Sequence, residues 1–260
     1  MGECWNENGF KDCRNKIISI NKQVGKTFKH AYHYIGAAKT IHDDWSSYNT
    51  QALNLSKLNN LKEELKNKIL TNFKVSTMGN SRHLFATAFT PNGIVTYIDS
   101  IYRDCKDIYV LNGGPGTGKT SVLTYIYKEA LKRGLFVEVY HDALIPEKIE
   151  HIVIPALNIA ILTSNEINQK KFKGYQINMD NYLNKNMLKN NMEEIKKDIE
   201  NFYLLLNTGL KIIAKAKSLH DELEKYYIPN MNFDKTEEIG TQTINKILIY
   251  EKDFKRKSIF

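Results

Sequence analysis

The residues with the clearest chemistry form one octapeptide: Gly113, Gly114, Pro115, Gly116, Thr117, Gly118, Lys119 and Thr120, followed by Ser121. This run satisfies the pattern GxxxxGK[ST], and it sits between an apolar β-type run and the start of a helical pattern, as that motif requires. Glycines let the backbone curl so that successive N–H groups point inward at a phosphate. The helix N-terminus adds partial positive charge. Lys119 is then placed for the β- and γ-phosphate oxygens and Thr120 for Mg²⁺. The reading is a site for a nucleoside triphosphate, ATP with Mg²⁺, with Lys119 as its catalytic cation.

Hydrolysis needs more: an acid holding the water shell of the metal, and a group orienting the attacking water. No four apolar residues followed by Asp-Glu occur. Asp142, just past the strand-like residues 136–140, is the nearest substitute as a catalytic and metal-handling acid, and a loop carboxylate or helix N-cap is its equal alternative. Glu150 is the weaker acidic candidate. Thr163, Ser164 and Asn165 follow another strand-like piece, where a water-orienting residue can stand, and a plain polar loop is the favoured reading there. Arg82, Arg103 and Arg133 are available as arginine fingers, with nothing to select one. His42-Asp43 and His220-Asp221 suggest a metal phosphohydrolase dyad, but a dyad alone cannot fill a coordination shell. Their simpler role is to fix a helix end against its partner.

These groups need elements to hold them. Apolar residues at helical spacing predict a helix over residues 16–45 and a second over 55–73, together a helical hairpin. After a polar connector at 77–81, residues 83–89 read as a strand, 91–93 as a turn and 94–103 as a short helix. Residues 107–112 form the run entering the Gly-rich loop. A helix over 118–133 closes at Gly134, and strand-like pieces follow at 136–140, 151–154 and 158–162. Beyond residue 167 helices are predicted at 182–207, 208–227 and 234–249. The fold class is therefore α/β, a P-loop architecture on a small, mostly parallel sheet flanked by N- and C-terminal helical hairpins. Its domains are expected at 1–78, 79–167 and 168–260.

The two helical regions repeat one another. Ala38-Lys39-Thr40-Ile41-His42-Asp43 stands 178 positions before Ala216-Lys217-Ser218-Leu219-His220-Asp221. The same offset pairs Asn54 with Asn232, and Asn67-Lys68-Ile69-Leu70 with the identical Asn245-Lys246-Ile247-Leu248. Duplication is the reading. Because one α/β module lies between two helical modules, the chain is expected to be a truncated or internally started form of a longer tandem protein.

Composition narrows the class. The 260 residues are 42% hydrophobic and 25% charged, enough for a sizeable core. Thirty-seven Lys and Arg against 29 Asp and Glu give +8, compatible with an anionic partner. That charge is scattered, with one short cluster at Lys252, Lys255, Arg256 and Lys257, so a nucleic-acid groove is disfavoured. Cys4, Cys13 and Cys105 form no metal-spaced pair and fit a reducing compartment. The N-terminus lacks a signal h-region and, with Asn6, the myristoylation pattern. Residues 151–162 are too short for a bilayer and contain Pro155. A cytoplasmic protein without a membrane is expected, its partner a nucleotide, with a protein partner or homo-oligomer left open.

With these residues in view, the chain resembles the tandem P-loop ATPases of spore-forming Firmicutes. The likeness is carried by SRHLFATAFTPNG, YVLNGGPGTGKTSVL, VEVYH, IVIPALNIAIL and the AKTIHDDW/AKSLHDEL pair. It spans most of the chain, as the tail of one copy plus a whole second copy. It implies nucleotide binding at residues 113–120. Two positions depart from it: Ala156 where an acid is expected, and Thr163-Ser164-Asn165 where Asp-Ser-Thr is expected. If those acids handle Mg²⁺ or water, their loss leaves binding intact and removes turnover. A nucleotide-binding scaffold whose helical arms hold a partner is the alternative.

Overall fold

The protein is described by a computed structural model over residues 4–257, with side chains to residue 254. The side chains of Lys255, Arg256 and Lys257 in the C-terminal basic cluster, and residues 1–3 of the N-terminal pattern, lie outside this description. In chain order the main elements are α1 (Arg14–Gln51), α2 (Leu55–Leu70), β1 (Ser81–Phe85), β2 (Thr87–Thr90), β3 (Gly93–Thr96), α3 (Ile98–Ile101) and β4 (Asp107–Asn112). They continue with α4 (Lys119–Leu131), β5 (Val137–His141), β6 (Ile149–Ile154), β7 (Ile159–Ser164), β8 (Tyr175–Asn178), α5 (Lys185–Lys189), α6 (Met192–Tyr227) and α7 (Phe233–Lys257). Two compact units result: Lys29–Ala214, and Met1–Phe28 with Lys215–Phe260.

The first unit is built on a six-stranded sheet of order β1-β5-β6-β7-β4-β8. Only β6 runs antiparallel to its neighbours β5 and β7. The connection from β6 to β7 is too short for a parallel crossover, a single 3₁₀ turn at Pro155–Leu157 ending on Asn158 at φ +54°. Along the strands, side chains alternate between two buried faces. Leu111, Val139, Ile152 and Ile161 face α2 and α4. Val110, Tyr140, Val153 and Leu162 face the layer of Ile98 and Phe172.

Four sequence expectations change. The first two helices do not pair as a hairpin; α2 buries Leu58, Leu61, Leu65, Ile69 and Leu70 into the sheet core beside Val122, Leu123 and Ile126 of α4. Burying those five aliphatic side chains contributes on the order of 10 kcal/mol before chain entropy is charged against it. The expected strand 83–89 breaks at Ala86, so β1 joins the sheet while β2 forms a separate hairpin with β3. Gly93, at φ +89°, turns the chain back, so residues 94–96 pair with β2 and only one helical turn, α3, remains of the expected helix. Finally, the expected break between residues 207 and 208 is absent: after the short α5, α6 runs unbroken over Met192–Tyr227, and β8 adds an edge strand beyond the expected end of the sheet.

The second unit holds a short 3₁₀ turn (Glu7–Phe10), the start of α1, the end of α6, and α7. Its hydrogen bonds repeat those of the first unit at the 178-residue offset. Here Trp5 bridges Met231, Asn6 N–H donates to Asn230 O and Asn232 N–H to Cys4 O. There Leu183 bridges Leu53, Asn184 N–H donates to Ala52 O and Asn54 N–H to Tyr182 O. Asn54 caps α2 by accepting from Lys57 N–H, and Asn232 caps α7 by accepting from Lys235 N–H.

Candidate functional site

The Gly-rich loop leaves β4 and enters α4 directly. Two positions on it demand left-handed backbone, Gly116 at φ +74° and Gly118 at φ +92°. Inside the curl the Thr117 hydroxyl donates to Gly114 O (2.8 Å), and Lys119 Nζ donates to the carbonyls of Gly113 and Gly114. Burial pushes the Lys119 ammonium below the ordinary lysine range, partly offset by Glu166 and Asp142. Gly113 N–H donates to Ser164 O on neighbouring β7, which ties the loop to the sheet.

The outer side of the loop is held by the last turns of α1. Asn49, buried, donates through Nδ2 to Pro115 O at 2.7 Å. A Cβ on Gly116 would stand 2.1 Å from Ser46 O, and one on Gly114 would stand 3.3 Å from the Trp45 ring. Glycine is needed at 116 for this close approach as well as for φ.

In front of the loop lies a cavity of about 400 Å³. Pro115, Gly116, Thr117, Gly118, Lys119, Thr120 and Ser121 all line it, while Gly113 and Gly114 sit behind it as acceptors for Lys119. His42 and Lys62 reach it from α1 and α2, and Lys148 from the turn before β6. None of the three arginines considered lines it; Arg133 pairs with Glu129 and Phe73 O instead.

Three carboxylates meet at this cavity, and their environments differ. Asp142 lines it as expected, but its Oδ1 accepts from Leu144 N–H (2.7 Å) and Ile145 N–H (2.8 Å), capping the next turn. Burial raises its pKa despite those bonds. Glu150 is 3% exposed, and its Oε1 accepts from Asn165 Nδ2 and Asn168 Nδ2, both at 2.9 Å. Its Oε2 has no hydrogen-bond partner among the described residues, with His151 Nε2 standing 3.5 Å away, and burial, reinforced by Asp142, pushes its pKa up to about 7. In Glu166, burial acts upward but the His42 hydrogen bond and the Lys119 charge outweigh it, so the carboxyl sits below the ordinary range. The His42 Nε2 to Glu166 Oε1 distance is 2.6 Å. Beside Glu150, His151 is fully buried and pushed down to about 3 by that burial, while Thr163 keeps its hydroxyl unpartnered.

The unpartnered oxygens give a test of fit for a hydrated divalent cation. Thr120 Oγ1 makes one long bond, to Ile149 O at 3.3 Å, and Glu150 Oε2, Glu166 Oε2 and Thr163 Oγ1 are buried without a hydrogen bond among the described residues. Hard oxygen donors of this kind suit Mg²⁺ and its waters. Glu150, ranked below Asp142 in the sequence, is the better supplied of the two. Glu166 was missed altogether, and no local pattern marks it. His42, Ser46, Asn49 and Thr50 carried a signal: polar residues at helical spacing near the end of an apolar stripe. Compared with known proteins, the chain matches no family, no curated protein and no solved structure.

Proposed function

We propose that the chain binds ATP with Mg²⁺ in the cavity before residues 113–120. One observation carries the reading. A lysine ammonium, half buried at the mouth of a glycine curl, bonds only to the carbonyls of Gly113 and Gly114, which it can exchange for phosphate oxygens. The main-chain N–H groups of the loop and the first turn of α4 would face the same phosphates. Thr120, with Glu150 and Asp142 behind it, would hold the cation and its water shell. When bound, Mg²⁺ supplies charge neutralisation between the phosphates.

For hydrolysis, Glu150 is the group placed to accept a proton from water, with Asn165 and Asn168 fixing its carboxylate through Oε1. The resemblance to tandem P-loop ATPases points the same way. A second reading is favoured by Asp142, whose Oδ1 is taken up by the Leu144 and Ile145 amides: a module that binds ATP and does not turn it over.

Titration calorimetry with MgATP on the wild-type chain and Lys119→Ala tests the binding claim. The variant is expected to lose at least about a hundredfold in affinity, since a charge-assisted phosphate contact disappears. Equal affinities would remove the loop from the site. Phosphate release above the Lys119→Ala control then separates the ATPase from the silent module.

A further inference from the structure

The repeated helical pairs have different surroundings. On α2, Asn67-Lys68-Ile69-Leu70 lies on the sheet core: Ile69 is 6% exposed and Leu70 2%. Lys68 Nζ stands over the rings of Tyr109 (5.2 Å) and Tyr175 (4.1 Å), on β4 and the edge strand β8. The identical Asn245-Lys246-Ile247-Leu248 on α7 leaves Ile247 59% and Leu248 46% exposed, with Ile244, Ile249 and Tyr250 also open and Lys246 in solvent. One turn of the same pattern is therefore covered in the first unit and bare in the second.

The bare copy shows what would cover it, because the covered copy displays its occupant. In the first unit the helical pair and its ladder at Leu53 and Leu183 carry an α/β core. That core offers an apolar helix (α4), two tyrosines for a lysine, and a buried carboxylate, Glu166, for His42. The second unit keeps the ladder, the asparagine cap, the lysine and the two aliphatics. It also keeps a histidine, His220, which among the described residues pairs with Glu224 of its own helix at 3.5 Å. Thr236 and Thr243 stand where α2 has Leu58 and Leu65, so the apolar contact concentrates in the last turns of α7.

We propose that the second unit is a docking cradle for a second α/β core built like residues 81–178, brought by a partner polypeptide. Ile247 and Leu248 would meet its helix, Lys246 would lie over an aromatic pair at its sheet edge, and His220 would face its buried carboxylate. A second copy of this chain does not meet the need, because its own α2 already covers the matching face. The proposal does not depend on nucleotide binding.

The test supplies such a core within one chain. Residues 82–181 of this sequence are joined directly ahead of Cys4, the position 178 before Tyr182. Maleimide labelling of Ile247→Cys, read peptide by peptide, is then compared in the 260-residue and extended chains. The thiol is expected to label freely in the first and at least about tenfold more slowly in the second. Equal rates overturn the proposal. So does an extension that limited proteolysis digests as unfolded chain, since the cradle is what would cover and stabilise it.

Discussion

Lys119 and Glu150 answer to the same physics with opposite consequences: burial makes each of them resist its charged form. For Glu150 the folded chain holds its proton up to about pH 7, whereas an ordinary glutamate lets go near 4.5. At this one group the native state therefore binds more protons than the unfolded one between those values. The contribution of Glu150 is whole below about 4.5, falls as pH rises towards 7, and is lower by about 3 kcal/mol above that, while the buried neutral His151 acts in the opposite sense up to about 6.5. The difference in urea-unfolding stability between wild type and Glu150→Gln, taken across pH 5 to 8, is therefore expected to shift against wild type as pH rises; parallel profiles would mean that Glu150 does not titrate in this window. At this scale the sequence was legible for the glycine loop at residues 113–120, which does lie between a strand and a helix with Gly116 and Gly118 in left-handed backbone. It was less so for the acids. Asp142 follows β5 and Glu150 lies in β6, and only folding decides that one oxygen of the first accepts main-chain amides while one oxygen of the second accepts two asparagines.

Between elements, the contact of α1 with the Gly-rich loop is a backbone-to-backbone approach with no room for a side chain. Gly116→Ala must both strain a left-handed φ and push Ser46 O away. It is expected to cost about 2–4 kcal/mol, measured as a fall in the urea midpoint at constant slope. Asn49→Ala leaves the Pro115 carbonyl without its buried partner and is expected to cost about 1–3 kcal/mol by the same measurement. A loss near zero for both would show that α1 is not seated on the loop. The long helices were readable because their apolar stripes run over many turns. The strands β3 and β8 were not: four residues each, half-exposed, they owe their state to a glycine turn and to neighbouring β4, and periodicity has no length over which to show itself.

In the molecule as a whole, the offset of 178 residues was visible in letters, and the hydrogen bonds of both units follow it. What letters alone do not convey is that identical tetrapeptides differ in burial, since burial belongs to the surroundings and not to the segment. Hydrogen exchange is expected to register the difference: amides in α7 beyond residue 241, where every described side chain is exposed, should exchange faster than those of α2. No helix among the described residues is long and apolar enough to cross a membrane, so the apolar surface on α7 is not explained as a bilayer span. That surface includes Ile247-Leu248-Ile249-Tyr250, four consecutive side chains without a charge. Left bare, such a quartet invites self-association at high concentration. Purified stocks should therefore cloud at a protein concentration that Ile249→Lys raises.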